Sequence, residues 1–528
     1  SLHDALPIYD VLPTTATAGT YIQLRKTEAY QSTQLIGSTD NGIEVTTTQY
    51  RYIYQVHIGT TVSGAVSPFN YWRQLTVNEI SKTVSNRLDP VDRATVHVTQ
   101  TLANTYYTVY INGVQKAQFL TGDGITTAAQ GTDQIAADLT TDLTGAGYTA
   151  QRTGSTVCIS GLNASDTVTV SAGQGDKAIK CYRSEVDSFQ SLPPNEVTGR
   201  VVKIRGDVKS NGDDYYVVFQ NGIWTETYGF NTGAKPEPTS MPHKLVRNAD
   251  GTWTFSKHSW TARSSGDLVS NPNPSFIGAK INDLFFYSGR LGLLADENVI
   301  LSEANVFENF YRTSLATLVD SDRLDYAVFN QGVDVLRHAI PFDKDLLLMS
   351  DKAQFRFTYQ NYLGPKNTQV LFSTTFLVSP YVKPVTIGNS IYFLDDKPEY
   401  TYAKVFEYFP KENKVGDDAD DATAPVPQYI RSGIGFMSGS PRLHSLLAHS
   451  RYASDTMYLY KFFWSGQNKI QNAWFKWQFP DVTQIYWADF SKNYIYLLLK
   501  RTNGVTLERI RVDEKVYEPG RYVIDQQV

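Results

Sequence analysis

Between Asn273 and Tyr311 the chain alternates short apolar runs with turn-forming residues, a pattern that few folds accommodate. Ile281-Asn282-Asp283-Leu284-Phe285-Phe286-Tyr287 and Arg290-Leu291-Gly292-Leu293-Leu294 flank a turn at Gly289. Two short apolar runs either side of a glycine-bearing turn predict a β-hairpin. Asn298-Val299-Ile300-Leu301-Ser302 adds a third strand, and Phe307-Glu308-Asn309-Phe310-Tyr311 an aromatic tail. No catalytic cluster lies in the stretch. Strand-like cores recur at Asp283–Tyr287, Asp345–Met349, Ser390–Leu394, Thr456–Tyr460 and Tyr494–Leu499. Several lead into a further strand, as at Ala353–Tyr359, Tyr402–Tyr408 and Val505–Val512. The cores lie roughly 38 to 66 residues apart, near the length of a propeller blade but too uneven for a clean repeat. Small twisted sheets packed radially would leave few exposed edges.

Composition agrees with a β-dominated chain. Aromatic residues make up 13%, chiefly 34 Tyr and 26 Phe, and there are only four Met. The length of 528 residues allows roughly two to four domains. A net charge of −5 argues against tight nucleic-acid binding, which ordinarily requires a basic surface. Cys158 and Cys181 are too few for a disulfide framework. They lie on neighbouring strand-like segments, so one bridge is conceivable, but two reduced thiols are the expectation. The longest apolar runs, such as Ile495-Tyr496-Leu497-Leu498-Leu499, fall well short of the roughly 18 residues of a membrane span. No basic n-region followed by an apolar h-region marks a signal peptide. Residues 1–10 have no clear relation to the rest of the chain and are expected to be an unrelated or artefactual start.

Residues 11–93 read as a Thr-rich β segment with a strand at Tyr50–Val56 and a turn at Asn41-Gly42. Residues 94–186 read as a small α+β module. Its hairpin runs Tyr106–Ile111, Asn112-Gly113, Gln115–Leu120. A helix comes next, with Thr132 as expected N-cap, Gly145 as expected stop, and an apolar stripe at Ile135, Ala136, Leu139 and Leu143. Strands at Thr149–Arg152, Thr156–Ile159 and Thr167–Val170 complete it. Leu192-Pro193-Pro194-Asn195 reads as a linker. Residues 187–280 then hold hairpins at Asp214–Gln220/Ile223–Thr227 and Lys244–Arg247/Thr252–Phe255, and 281–528 hold the repeated β units.

The chemistry-bearing residues form no recognisable motif. None of the eight histidines makes an HExxH or zinc-finger spacing, and His444 and His449 are wrongly spaced for one helix face. Asp417, Asp418, Asp420 and Asp421 lack the calcium-loop pattern and read as a solvated loop, as do Asp320, Asp322 and Asp325. P-loop, nucleophile-elbow and dinucleotide-binding patterns do not occur. Trp464, Trp474, Phe475, Trp477, Tyr486 and Trp487 could stack on sugars or bases, but alternating strand positions favour packing. No catalytic, cofactor-binding or metal-ligating residue is expected.

One ordered set of segments carries a resemblance. It begins with Ser191-Leu192-Pro193-Pro194-Asn195, Val202-Lys203-Ile204-Arg205-Gly206-Asp207, Asp214-Tyr215-Tyr216-Val217 and Trp224-Thr225-Glu226-Thr227. It continues through Met241-Pro242-His243, Leu245-Val246-Arg247, Ala249-Asp250-Gly251 and Asn271-Pro272. It closes on Ile281-Asn282-Asp283, Arg290-Leu291-Gly292 and Glu297-Asn298-Val299-Ile300-Leu301-Ser302. In this the chain resembles the tail tubular protein B, or nozzle, family of short-tailed podophages, most strongly over residues 187–312. The resemblance implies a mainly β fold, an irregular and incomplete β-propeller with residues 94–186 as an inserted fin-like domain. It also implies a non-enzymatic virion tail protein, a homo-hexameric ring meeting an adaptor-type tail tubular protein and tail fibres, through which DNA is ejected. Family members continue past the equivalent of Val528, so this chain is expected to be an internal fragment. Six chains at −5 would give such a ring roughly −30, suited to letting a duplex slide rather than gripping it. The alternative reading is a tail-associated β protein that binds or degrades polysaccharide.

Overall fold

A computed structural model describes residues 77–81, 87–125, 130–173, 177–205, 214–330, 332–396, 401–409, 418–465 and 468–512. It also gives the backbone of strands Thr20–Glu28, Ser38–Thr39, Gly42–Ile43 and Tyr50–Thr60. Residues 1–10, Asn41 and Asp417, on which sequence expectations fell, lie outside the described residues.

Five antiparallel sheets succeed one another from residue 281, each a meander whose strands pair in chain order. Sheet I comprises Ile281–Tyr287, Arg290–Ala295, Asn298–Leu301 and Leu324–Ala327. Sheet II comprises Leu336–Phe342, Asp345–Ser350, Gln354–Tyr359 and Thr368–Thr374. Sheet III comprises Val385–Ile387, Ser390–Asp395, Lys404–Phe409 and Asp418–Asp421. Sheet IV comprises Ile434–Ser440, Ser445–Ser450, Thr456–Ser465 and Asn468–Gln478. Sheet V comprises Val482–Ser491, Tyr494–Arg501 and Gly504–Arg511.

The unevenness read from the sequence comes from comparing non-equivalent strands. Asp283–Tyr287 belongs to a first strand, Asp345–Met349, Ser390–Leu394 and Tyr494–Leu499 to second strands, and Thr456–Tyr460 to a third. The first strands begin at residues 281, 336, 385, 434 and 482, giving steps of 55, 49, 49 and 48. The same local irregularity recurs in them. Pairing with the second strand slips between Ile281 and Asp283, Leu336 and His338, Ile434 and Phe436, and Val482 and Gln484. Such a bulge bends and twists a strand at its start.

Successive sheets pack face to face. Alternate side chains of a strand point to opposite faces, and the second strands use both. Leu346 and Leu348 join a core shared with sheet I, while Leu347 and Met349 join one shared with sheet III. Ile391 and Phe393 turn to sheet II, Tyr392 and Leu394 to sheet IV. Leu446 and Ala448 meet sheet III, and Leu447 meets sheet V. Burial on both faces is why these strands read as unbroken apolar runs. The far face of sheet I packs on Val77, Met241, Trp260, Phe276 and Phe310.

Upstream, Thr20–Glu28, Tyr50–Thr60, His243–Arg247 and Trp253–Lys257 form one sheet. The hairpin Tyr215–Gln220/Ile223–Thr227 sits in another, turned by Asn221-Gly222 with both residues at positive φ (52° and 81°). That geometry matches the twist of paired strands, and Asn-Gly tolerates it. Residues 93–182 hold a four-stranded sheet, a three-stranded sheet and the helix Thr132–Gly145 around one core. Ile135, Ala136, Leu139 and Leu143 are the helix's buried residues. Its ends differ from expectation. Gly131, not Thr132, is the N-cap, with no side-chain cap bond, and Gly145 is still helical, with Ala146 as C-cap and Gly147 at φ 90°.

Cys158 pairs across from Thr95 and Cys181 across from Val96, on the two strands flanking Arg93–Val98. Adjacent residues of that strand face opposite ways, so the two thiols do too, and no disulfide joins them. Burial pushes the Cys158 thiol up to about 11, which keeps it protonated at neutral pH. Leu192–Asn195 is not a free linker: Pro193 is buried and its carbonyl accepts from Trp224 Nε1 at 2.8 Å.

Candidate functional site

The residues singled out for chemistry have structural partners. His449 is buried, its Nδ1 2.9 Å from the Thr456 carbonyl, and burial lowers its pKa. His444 sits at φ 46° in the turn before Ser445–Ser450, against the Phe462 ring. Asp322 is buried rather than solvated, accepting from Val319 N at 3.2 Å with Arg312 Nε at 3.6 Å. Asp325 accepts from Ser275 N and Arg323 Nη1, both at 2.9 Å. Asp418–Asp421 is an edge strand of sheet III, not a loop. Charges at such an edge discourage further pairing. Among the described residues no group of three or more His, Cys, Asp or Glu could hold a metal, and no helix is long and apolar enough to cross a membrane. Trp474 packs on Tyr460 with centroids 4.7 Å apart and donates to the Ala422 carbonyl at 2.9 Å.

The sequence segments without chemistry turn out to be joints. Arg290, buried, donates from Nη1 to the carbonyls of Ser302 and Asp322 and from Nη2 to that of Asp320, at 2.6–2.8 Å. Gly292 leaves room for the Phe285 ring, which a Cβ would overlap. Asn282 Nδ2 donates to the Leu336 carbonyl at 2.9 Å. Asp283, also buried, accepts from Ala339 N at 2.9 Å and from Lys383 Nζ at 2.8 Å. Ile281-Asn282-Asp283 thus ties sheet I to sheet II and to the connector entering sheet III. Asn271 accepts from Arg312 N at 3.1 Å and donates to the Ser265 carbonyl at 3.0 Å. A second joint was invisible in the sequence because its members are 62 residues apart: Lys469 of sheet IV pairs with Glu407 of sheet III, which also accepts from Tyr392 OH at 2.7 Å.

Meander topology brings the turns between second and third strands to one end, with the connectors between sheets. Hydrogen bonds lock that end. Leu336 N donates to the Asp296 carbonyl at 2.7 Å, and Asp334 N to Glu297 Oε1 at 3.0 Å. Asp396, at the end of sheet III's second strand, accepts from Gly433 N at 3.0 Å and Ile434 N at 2.7 Å. Burial raises the Asp396 carboxyl above its ordinary value despite those bonds. Arg451 N donates to the Gly433 carbonyl at 2.9 Å, and Ile485 N to that of Ser454 at 2.8 Å. Between sheets II and III this connector end opens into a cavity of about 220 Å³ lined by Asp351, Leu377, Pro380, Tyr381, Asp395 and Asp396.

The model of the bacteriophage nozzle protein family matches residues 61–528, which takes in the repeated sheets and every joint just described. The chain belongs to the bacteriophage nozzle protein family. The tail tubular protein gp12 of Escherichia phage T7 is 34% identical over 372 residues, 69% of this chain and 46% of that protein. The chain therefore spans less than half the length of that relative. Among solved structures, a Staphylococcus aureus virginiamycin B lyase matches with 10% identity and a TM-score of 0.31, covering 54% of this chain and 82% of that one. Kluyveromyces lactis Hsv2 matches with 6% identity and a TM-score of 0.32, covering 57% and 77%. Likeness at that level carries no argument. As a nozzle family member the chain is a structural component of the phage tail, and its place is the virion.

Proposed function

We propose that this nozzle family member forms part of a ring-shaped conduit through which DNA is ejected into the host, and that it works by shape and closure without catalysis. In this reading sheets I to V are successive blades of a β-propeller. Residues 94–186 are a fin-like domain inserted between a β-rich segment, 11–93, and the start of the propeller at 187–280. The observation that carries it is the serial array: first strands at steps of 55, 49, 49 and 48 residues, the same bulge in four of five, and a core shared by each neighbouring pair. Repeated small sheets that share faces suit a rigid wall. The ring is a homo-hexamer, contacted by an adaptor-type tail protein and by tail fibres. A net charge of −5 per chain supports passage of the duplex without adhesion.

The test is assembly of the full-length protein with its partner tail proteins. Six-fold rings by electron microscopy, and loss of DNA ejection from particles lacking the protein, are the expected results. A protein that stays monomeric with its partners present, or particles that eject normally without it, would sink the reading.

A further inference from the structure

The strands that end each sheet sort their charges by sign. In sheets I to III these are Leu324–Ala327, Thr368–Thr374 and Asp418–Asp421, with four Asp and no Lys or Arg. In sheets IV and V they are Asn468–Gln478 and Gly504–Arg511, with four Lys or Arg and one Glu. Whole sheets follow the same split: residues 281–421 contain 13 Lys and Arg against 21 Asp and Glu, and residues 434–511 ten against four. The first strands of sheets I and II, III and IV, and IV and V lie against one another. The last strands are therefore at the opposite edge of each sheet, on the outer side of the array. Some of their charges are settled locally: Lys469 pairs with Glu407, Asp325 with Arg323 and Glu508 with Arg501. Among the described residues Lys476 and Arg509 on the basic side, and Asp418 and Asp420 on the acidic side, are exposed and make no ion pair. Lys476 sits 4.2 Å from the Tyr429 ring centroid and Arg509 4.9 Å from that of Tyr494. Phe475 beside Lys476, and Val505 and Leu507 on the Arg509 face of their strand, are exposed as well. Charge of either sign protects an edge strand from stray pairing, so edge protection does not account for a change of sign between sheets III and IV.

We propose that copies of the chain meet head-to-tail through this outer side, with Lys476 and Arg509 of one copy against Asp418 and Asp420 of the next. The contact is made by side chains, without strand pairing. Two-fold pairing of either half with itself would set like charge on like charge. A head-to-tail contact sets opposite charges together, and it repeats from copy to copy until a ring closes. A second copy accounts for both halves of the outer side at once, whereas an acidic protein of another kind would account for the basic half alone. Duplex DNA is the poorer occupant of the basic half. Its phosphates make no use of the exposed Phe475, Val505 and Leu507, which suit the apolar centre of a protein interface. The inference rests on the nozzle reading, and names the contact between its subunits.

Full-length protein, half of it isotope-labelled, is assembled with its partner tail proteins and treated with a carbodiimide, which joins a lysine amine to a carboxylate in contact with it. The expected product joins Lys476 to Asp418 or Asp420 in peptides of mixed label. Lys476 joined only within one copy, joined to another tail protein, or not joined at all in rings overturns the proposal. Failure of the unsubstituted protein to form rings with its partners present overturns the nozzle reading instead. Lys476→Asp with Arg509→Asp is expected to lower the ring fraction about tenfold, as is Asp418→Lys with Asp420→Lys. All four substitutions together are expected to restore it, since the charges are then exchanged rather than lost. No restoration, with melting temperatures unchanged, overturns the proposal. So does a Lys476→Asp, Arg509→Asp protein that still forms rings and has lost only its retention of duplex DNA. If the substituted chains fail to fold, the crosslink decides.

Discussion

Single residues explain why a segment without chemistry can still be specific. Gly292 is required by the Phe285 ring stacked over its backbone, and Arg290 by the carbonyls it collects from residues 302 to 322. Neither role shows in composition or periodicity, since both depend on what the third strand and the loop after it place nearby. Gly292→Ala is expected to cost about 1–3 kcal/mol, because the ring must move within a packed core. The measurement is the denaturation midpoint of the purified protein, and an unchanged midpoint would show that Phe285 has room to yield.

At the scale of elements, the helix and the hairpins were legible and the joints were not. Ile135, Ala136, Leu139 and Leu143 form the buried stripe the spacing indicates, and Asn112-Gly113 and Asn221-Gly222 turn the hairpins they should. These signals are local, arising from backbone geometry within a few residues. The Thr132 cap failed because Gly131 took the position, a shift of one residue that capping preferences do not resolve. The ion pair between Glu407 and Lys469 links two sheets and is almost wholly buried on the glutamate side. Glu407→Ala should lower stability by about 3 kcal/mol, since it strands Lys469 and the Tyr392 hydroxyl. Replacing Glu407 and Lys469 together by Met should cost much less, because no buried charge is then left alone. Equal losses in the single and double variants, measured by urea titration, would argue against a coupled pair.

Over the whole molecule, one buried and two half-buried histidines set an acid-side weakness. Burial lowers the pKa of His97, His243 and His449 in the fold. The unfolded chain takes up protons near the ordinary histidine pKa of about 6.5, while the folded chain resists until lower pH. Stability should therefore be fully present above that pH and decline as the pH falls from about 6.5 towards the folded values. His449→Gln should flatten part of that slope in melting temperatures taken from pH 8 to pH 5, and an unaltered slope would exclude His449 as a contributor. The 93–182 module has its own core, confined to residues between Ala94 and Cys181. It is docked through Thr95, which donates to the buried Glu196 at 2.7 Å, and Tyr182, which donates to the same carboxylate at 3.0 Å. Expressed as residues 88–200, it is expected to melt in one cooperative transition. A broad, non-cooperative melt would mean that it needs the rest of the chain.

The amino-acid sequence by itself determined the β class, the hairpins, the helix stripe and the family. Each of those rests on local pattern or on the order of short segments. Only the tertiary structure decided the phase of the repeat, because strands of one sheet look alike until pairing shows which is first. It also decided the fate of the acidic residues: Asp283, Asp322 and Asp396 are buried and bonded, while Asp418–Asp421 edges a sheet. A carboxylate reads the same in either setting, and the difference lies in partners supplied from distant parts of the chain. The cavity at the connector end likewise exists only because sheets II and III meet there, bringing together residues 351 to 396 from two turns and the connector between the sheets.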